Sequence, residues 1–404
     1  MKSGLSVTSA IVTMVTSMMG TGINYMPYAF KSVGYIRGIL LINSVGILTF
    51  FSLYAISIAA NRSKDPNPTY SSLSTRISKY LKVLVDMSIF SSCFGVNIVF
   101  YRYLTELIMM MLPVDTYVEH EVGRKIIIGV LAIPFLLLSL KKDLSSLKVT
   151  SYITVASVTY LAVLMGGYCL FIGGKCAEEP IQRFGSNFSK GISCFMLALS
   201  CQANMVKTYT ELEHKSPGSI IKVAMGASFF GTLIYGSVGL CGYIVFGHSI
   251  RSSIIDILVD PKSNINAYLM NNTIDKYALS SRIACVGAML VLFGAFPVQM
   301  NPLVGIPLSY FVREGRDASA TRKKVVFILM LMFLSLGMIE KLNIDTILQM
   351  VGATAVNLVS FTYPSIYYLY FGKRMDLMSV LSVAVCIGSI LSMVYMSYNI
   401  ICSQ

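Results

Sequence analysis

Ten stretches of the chain contain no lysine, arginine, aspartate or glutamate: 3–30, 38–61, 126–140, 149–174, 191–206, 223–250, 283–312, 325–339, 346–372 and 377–404. An eleventh, 83–112, is otherwise apolar but carries Asp86, Arg102 and Glu106. About 20 predominantly apolar residues carry a helix across a bilayer, and hydrocarbon offers no partner to an unpaired backbone group. The pattern predicts an all-α polytopic membrane protein of eleven transmembrane helices. The expected spans are 5–30, 36–60, 83–112, 124–140, 147–174, 189–208, 220–247, 279–312, 324–340, 344–371 and 378–400, forming one transmembrane domain over 5–400. The first run is too long for the 7–15-residue core of a signal peptide, so it is expected to be retained.

Charged residues make up 13% of the chain, against about 25% in soluble proteins. That deficit argues against a soluble enzyme or a disordered scaffold. The net charge of +13 lies in short loops, where membrane topology accounts for it, so no nucleic-acid partner is expected. With the N-terminus cytoplasmic, 19 of the 32 basic residues fall on the inside, 12 fall outside, and Arg102 lies within a span. This bias predicts a cytoplasmic N-terminus and an extracellular or lumenal C-terminus. The sequons at Asn187 and Asn271 fall in expected outside loops, although Asn61-Arg62-Ser63 falls inside.

His120, His214 and His248 all lie in or beside loops. No metal, cofactor or catalytic triad is therefore expected. The nine cysteines lie mostly within spans and read as small apolar filler. Lipid is an expected partner, and nothing in the sequence fixes an oligomeric state.

Two spans contain weak points. In the first, Gly20-Thr21-Gly22-Ile23 precedes Pro27 by a few residues. Proline removes a helical hydrogen bond and glycine permits irregular backbone, which at membrane depth is tolerated only inside protein or along a cavity. The N–H groups of a half-helix starting there suit an anionic group such as a carboxylate. A proline kink or a small-residue packing face is the alternative. In the sixth, Ser200-Cys201-Gln202-Ala203-Asn204 places polar side chains where they are costly unless they face an interior. Two discontinuous helices, each first in a set of five, form the pattern of inverted-repeat transporters.

Along the third span, Asp86 and Asn97 lie within about 20° of one another at 100° per residue, with Cys93 and Tyr101 flanking Asn97. Arg102 and Glu106 form an i,i+4 pair on a face about 140–180° from Asn97. Asn97 and Tyr101 are therefore assigned to a cavity, and Arg102–Glu106 to mutual neutralisation against a neighbouring helix. A proton relay through Glu106 is the alternative.

Several motifs, taken in order, resemble the amino acid/auxin permease family of the amino acid–polyamine–organocation superfamily. They are Gly20-Thr21-Gly22-Ile23 with Pro27-Tyr28-Ala29-Phe30 and Gly34; Pro134-Phe135-Leu136-Leu137-Leu138-Ser139 with Lys142-Asp143-Leu144-Ser145-Ser146-Leu147; and Cys201 with Tyr209-Thr210-Glu211-Leu212. Gly242-Tyr243-Ile244-Val245-Phe246-Gly247, then Val351-Gly352-Ala353-Thr354 with Pro364 and Tyr367-Tyr368-Leu369, complete the series. The resemblance implies a LeuT-type 5+5 inverted repeat plus one extra helix, carrying amino acids by alternating access. It implies substrate contacts at Gly20, Thr21, Gly22 and Ile23 and at Ser200, Cys201, Gln202 and Asn204. The chain departs from the family at Gln202-Ala203, where the family often has His-Pro, and at Lys207, near a common proline.

The expected function is secondary active transport of an amino acid, a neutral one in the first instance, in the plasma membrane or a vacuolar or lysosomal membrane. The competing reading is a membrane sensor that binds an amino acid without moving it; the short tails outside the spans favour a transporter. Thr16, Asp86 and Glu106 are the candidate ion-coupling residues. In the sodium-coupled branch of the resembling family, an asparagine occupies the position that is Thr16 here, and a threonine on helix 8 adds an oxygen. The aligned stretch Gly287–Phe293 has no side-chain oxygen. Proton coupling, or none, is therefore expected in place of sodium.

Overall fold

The computed structural model describes residues 4–112, 119–140, 147–177, 180–250, 253–260, 263–271, 279–311, 319–339, 343–372 and 376–402. The side chains of Thr21 and residues 147–151 lie outside that description, as do Lys142–Ser146 of one family-like motif and Asn272 and Thr273 of the second sequon. The helices, in chain order, are α1 Val7–Met18, α2 Met26–Val33, α3 Tyr35–Arg62, α4 Tyr70–Ile77, α5 Lys79–Met111, α6 His120–Leu140, α7 Leu147–Phe171, α8 Phe188–Ala198 and α9 Gln202–Glu211. There follow α10 Pro217–Phe246, α11 Ile254–Val259, α12 Asn264–Asn271, α13 Leu279–Phe311, α14 Ser319–Gly337, α15 Ile344–Val351, α16 Tyr363–Phe371 and α17 Leu377–Cys402.

Among the described residues, eight helical stretches are long and apolar enough to cross a membrane: Tyr35–Arg62, Lys79–Met111, His120–Leu140, Tyr152–Phe171, Pro217–Ser249, Leu279–Phe311, Ile344–Phe371 and Leu377–Cys402. The other three apolar runs sit in shorter or more polar helices. Val7–Met18 is cut off by the glycines that follow it, α8 and α9 share one run, and α14 carries Arg322-Lys323-Lys324 in its first two turns.

The stretch Ile344–Phe371 is not α-helical throughout. Gly352–Val356 and Leu358–Thr362 are π-helical turns on either side of Asn357. Such turns are rare and usually occur singly.

The chain divides into two compact units. The first contains Met1–Ile89, Ile181–Tyr243 and Gln349–Gln404. In it α3 packs on α16 and α9, α2 on α8, α1 on α9, and α17 on α8 and α16. Close approach needs glycine here: a β-carbon on Gly46 of α3 would overlap Thr232 of α10, and one on Gly191 of α8 would overlap Val33 of α2. The second unit contains Phe90–Pro180 and Ile244–Leu348. In it α13 packs on α7, α6 and α14, and α14 on α6. Phe135 stacks on Phe296 at 4.0 Å, with Tyr101, Phe293 and Phe333 around them. Offset ring pairs of this kind contribute about 0.5–1.5 kcal/mol each beyond the area they bury.

Candidate functional site

Helix α1 stops at Met18. Gly20 is fully extended (φ −154°, ψ −153°), Thr21–Tyr25 forms a 3₁₀ turn, and α2 starts with Pro27 in its first turn, where the missing N–H costs nothing. The end of α1 leaves carbonyls without helical partners. Tyr235 of α10 supplies one, its hydroxyl donating to the Met18 carbonyl at 2.6 Å. The Gly20 N–H faces the same hydroxyl. The backbone runs close two residues on: a β-carbon on Gly22 would lie 3.3 Å from the Ala198 Cα. Ile23 is buried behind it.

Ala198 is the last residue of α8, so the two helix ends meet in the first unit. Leu199, Ser200 and Cys201 connect α8 to α9. Gln202 closes this connection: its Oε1 accepts the Cys201 N–H at 2.9 Å and its Nε2 donates to Ser52 Oγ of α3 at 3.0 Å. Ser200 Oγ pairs with Ser360 Oγ at 2.9 Å. Cys201 and Gln202 are buried, Ser200 is half-buried and Asn204 is exposed. The far ends of the four helices are also tied. The Leu5 N–H donates to the Glu211 carbonyl and the Leu5 carbonyl accepts the Glu213 N–H, a bridge opposite Leu212 that joins the start of α1 to the end of α9. The Gly185 and Asn187 N–H groups donate to Val33 and Ser32, joining α8 to α2.

The residues expected on α5 are placed as follows. Asn97 is fully buried in the second unit, and neither atom of its amide finds a hydrogen-bond partner among the described residues. An unsatisfied buried polar group costs about 1–3 kcal/mol. One turn earlier, Cys93 Sγ reaches Gln299 Oε1 of α13 at 3.2 Å. Tyr101, assigned by helical angle to a cavity, is instead completely buried, with its hydroxyl on the Ile128 carbonyl of α6 at 2.5 Å. The angle was sound but could not say that α6 would supply an acceptor. The Gln202 amide is likewise engaged, by Cys201 and Ser52.

Arg102 lies 3.7 Å from Glu106 and donates to the carbonyls of Gly337 and Ile339 at the end of α14, at 2.6 and 3.2 Å. Asp86 is buried in the first unit and pairs with Lys82 at 3.7 Å. The Thr16 hydroxyl donates back into its own helix, to Val12 and Thr13 carbonyls. Gly287 of α13 approaches Ser157 Oγ of α7, 3.1 Å from where a β-carbon would sit. Among the described residues no three His, Cys, Asp or Glu side chains meet to hold a metal ion.

Ser52, Tyr235 and Ser360 were not legible as site residues, since a lone hydroxyl in an apolar run carries no local signal of what it will face.

The architecture is that of membrane transporters built on the LeuT type of fold. The chain is similar to MhsT in complex with L-phenylalanine (TM-score 0.57, 10% identity, covering 97% of this chain and 98% of that one). It is also similar to Mhp1, a nucleobase-cation-symport-1 family transporter (TM-score 0.53, 13% identity, 98% and 94%). The family model described as "Transmembrane amino acid transporter protein" matches residues 3–402, and the chain belongs to that family of transporters, which are not enzymes. Vacuolar amino acid transporter 6 of Saccharomyces cerevisiae is 27% identical over 328 residues, covering 78% of this chain and 69% of its own length. Vacuolar amino acid transporter 5 of Schizosaccharomyces pombe is 26% identical over 373 residues, covering 91% and 84%. Solute carrier family 38 member 10 of Mus musculus is 23% identical over 377 residues, 89% of this chain but 33% of its own length.

Proposed function

We propose that the chain is a secondary active transporter of neutral amino acids working by alternating access. The observation that carries this is the meeting of two helix ends: α1 stops at Met18, α8 stops at Ala198, and Gly22 lies directly against Ala198. In this reading residues 7–33, 188–211 and 319–337 supply three further spans, giving eleven, with the first and sixth discontinuous. The substrate carboxylate binds the N–H groups around Gly20–Ile23, where the half-helix dipole favours an anion. Ser200, Cys201 and Asn204 line the second break.

Transport is proton-coupled or uncoupled, because Gly287–Phe293 brings no side-chain oxygen of its own and Thr16 offers at most one hydroxyl. The loop charges support a cytoplasmic N-terminus and a lumenal C-terminus. The names of the yeast relatives favour the vacuolar or lysosomal membrane over the plasma membrane. The test is radiolabelled uptake into proteoliposomes across an amino-acid panel, with imposed proton and sodium gradients. Uptake of neutral amino acids is the expected result. Saturable binding without uptake would replace the proposal with a sensor.

A further inference from the structure

The π-helical stretch between α15 and α16 touches both the α8–α9 connection and a segment far from it in sequence. Gly352 seats the stretch on α8, where a β-carbon would overlap the Ser193 carbonyl. Asn357 Nδ2 donates to the Ser389 carbonyl at 2.9 Å and to Ser392 Oγ at 3.1 Å, and Thr362 Oγ1 pairs with Ser389 Oγ at 2.7 Å, which anchors the stretch to α17. Its remaining side and backbone bonds point two ways. Ser360, completely buried, pairs with Ser200. The carbonyl of the preceding residue, Val359, accepts the hydroxyl of Tyr70, the first residue of α4.

Helix α4 belongs to the connection between the second and third proposed spans, and one face of α16 grips that connection and the first turns of α5. Tyr363, Tyr367 and Tyr370 recur at i, i+4 and i+7. Tyr367 donates to the Tyr70 carbonyl at 3.0 Å, Tyr370 to the Arg76 carbonyl at 3.1 Å, and Tyr363 to the Leu84 carbonyl at 3.2 Å, with Ser88 Oγ at 2.7 Å from the same Tyr363 hydroxyl. Tyr70 and Tyr367 also meet ring to ring, edge-on, at 5.4 Å. Tyr70 is thus held by its hydroxyl, its carbonyl and its ring.

We propose that Ser360 is a positioning residue for transport: it holds the Ser200 turn in place, and the π-helical stretch carries changes in that turn to α4. Val359 and Ser360 share one peptide unit, so a rotation of that unit displaces both the carbonyl bonded to Tyr70 and the Cα that carries the hydroxyl bonded to Ser200. A π turn can relax by one register step to an α turn. Such a step rotates both groups together, which is the kind of discrete two-arrangement element that coupling requires. This inference rests on the reading of the Ser200 region as substrate-contacting.

The experiment uses the full chain in proteoliposomes, with whichever neutral amino acid the wild type takes up fastest as probe. Ser200→Ala and Ser360→Ala are each expected to raise KM about tenfold, the size of one hydrogen bond's loss, with maximal rate changed less than about twofold. The double variant should match Ser200→Ala, because Ser360 acts only through the Ser200 hydroxyl. Ser360→Thr keeps the hydroxyl and should restore the wild-type KM. Hydrogen exchange over residues 70–77 should respond to saturating probe in the wild type and in Tyr367→Phe, and lose that response in Ser360→Ala and Tyr70→Phe. If Ser360→Ala fails to fold, Ser200→Ala and Tyr70→Phe test the same two bonds from their other ends. An unchanged KM in Ser200→Ala and Ser360→Ala, additive effects in the double variant, or an intact exchange response without the bonds would overturn the inference. A wild type that neither binds nor moves any amino acid would overturn the transport reading, a result distinct from uptake that ignores Ser360.

Discussion

Gly22 and Ala198 meet so closely that a β-carbon on the glycine would come within 3.3 Å of the alanine Cα. The contact joins two helix ends whose backbone N–H and carbonyl groups are not spent on their own helices. Gly22→Leu would push a branched side chain into that space. It is expected to abolish uptake while the protein still reaches the membrane. Normal uptake by this variant, measured beside its surface or vesicle abundance, would remove the carboxylate site from this position.

Gln202 invites a different expectation now that its partners are visible. Removing its amide leaves the buried Cys201 N–H without its partner, at about 1–3 kcal/mol, while the Ser52 hydroxyl keeps its bond to the Thr49 carbonyl. Gln202→Ala should therefore lower the thermal unfolding midpoint and reduce uptake of all amino acids in parallel. A changed ratio of polar to apolar substrates at unchanged stability would return Gln202 to the substrate.

Arg102 closes the end of α14 through the Gly337 and Ile339 carbonyls, and Glu106 stands beside it, partly exposed. Arg102→Met is expected to destabilise the protein by about 1–3 kcal/mol through the orphaned carbonyls. Glu106→Gln, which keeps the side chain's shape, should leave the response of uptake to a proton gradient unaltered. Loss of that response in Glu106→Gln would make Glu106 a proton carrier.

Replacing sodium with choline at fixed pH should leave uptake in place. An inward proton gradient at fixed sodium should raise uptake or leave it unchanged. Strict loss in choline would demand a sodium site, and Ser157, whose hydroxyl lies beside Gly287, would be the first side chain to test for it.

Asp376 caps α17. The Ser379 hydroxyl and N–H, both donating to Asp376 Oδ1 at 2.9 Å, hold its carboxyl below the usual carboxylate range, and Tyr368 donates to Oδ2 at 3.0 Å. A lowered folded-state value means that the stabilisation is complete above the unfolded value, near about 4, and is lost as pH falls through the folded one. The wild type should lose stability in acid more steeply than Asp376→Asn, whose amide caps without titrating. Parallel pH–stability curves for the two would contradict this.

Much of this protein was legible in its sequence because the signals are local. The apolar runs follow from composition over about 20 residues, since lipid compels every spanning backbone group to bond within its own helix. The weak points at Gly20–Pro27 and Ser200–Asn204 follow from residues that bond poorly in a helix or cost too much in lipid. The separation of Arg102 and Glu106 from Asn97 follows from angle alone. Tertiary structure decided what no local signal encodes: that Tyr235 would satisfy Met18, that Gln202 would be spent on Ser52, and that Tyr101 would find Ile128. It also decided that 352–362 would wind as π turns, because that register is held by Ser389, Ser392, Ser200 and Tyr70 on other segments. A hydroxyl or an amide declares its chemistry in the sequence. Its partner is set by which helices pack side by side, and that depends on the whole chain.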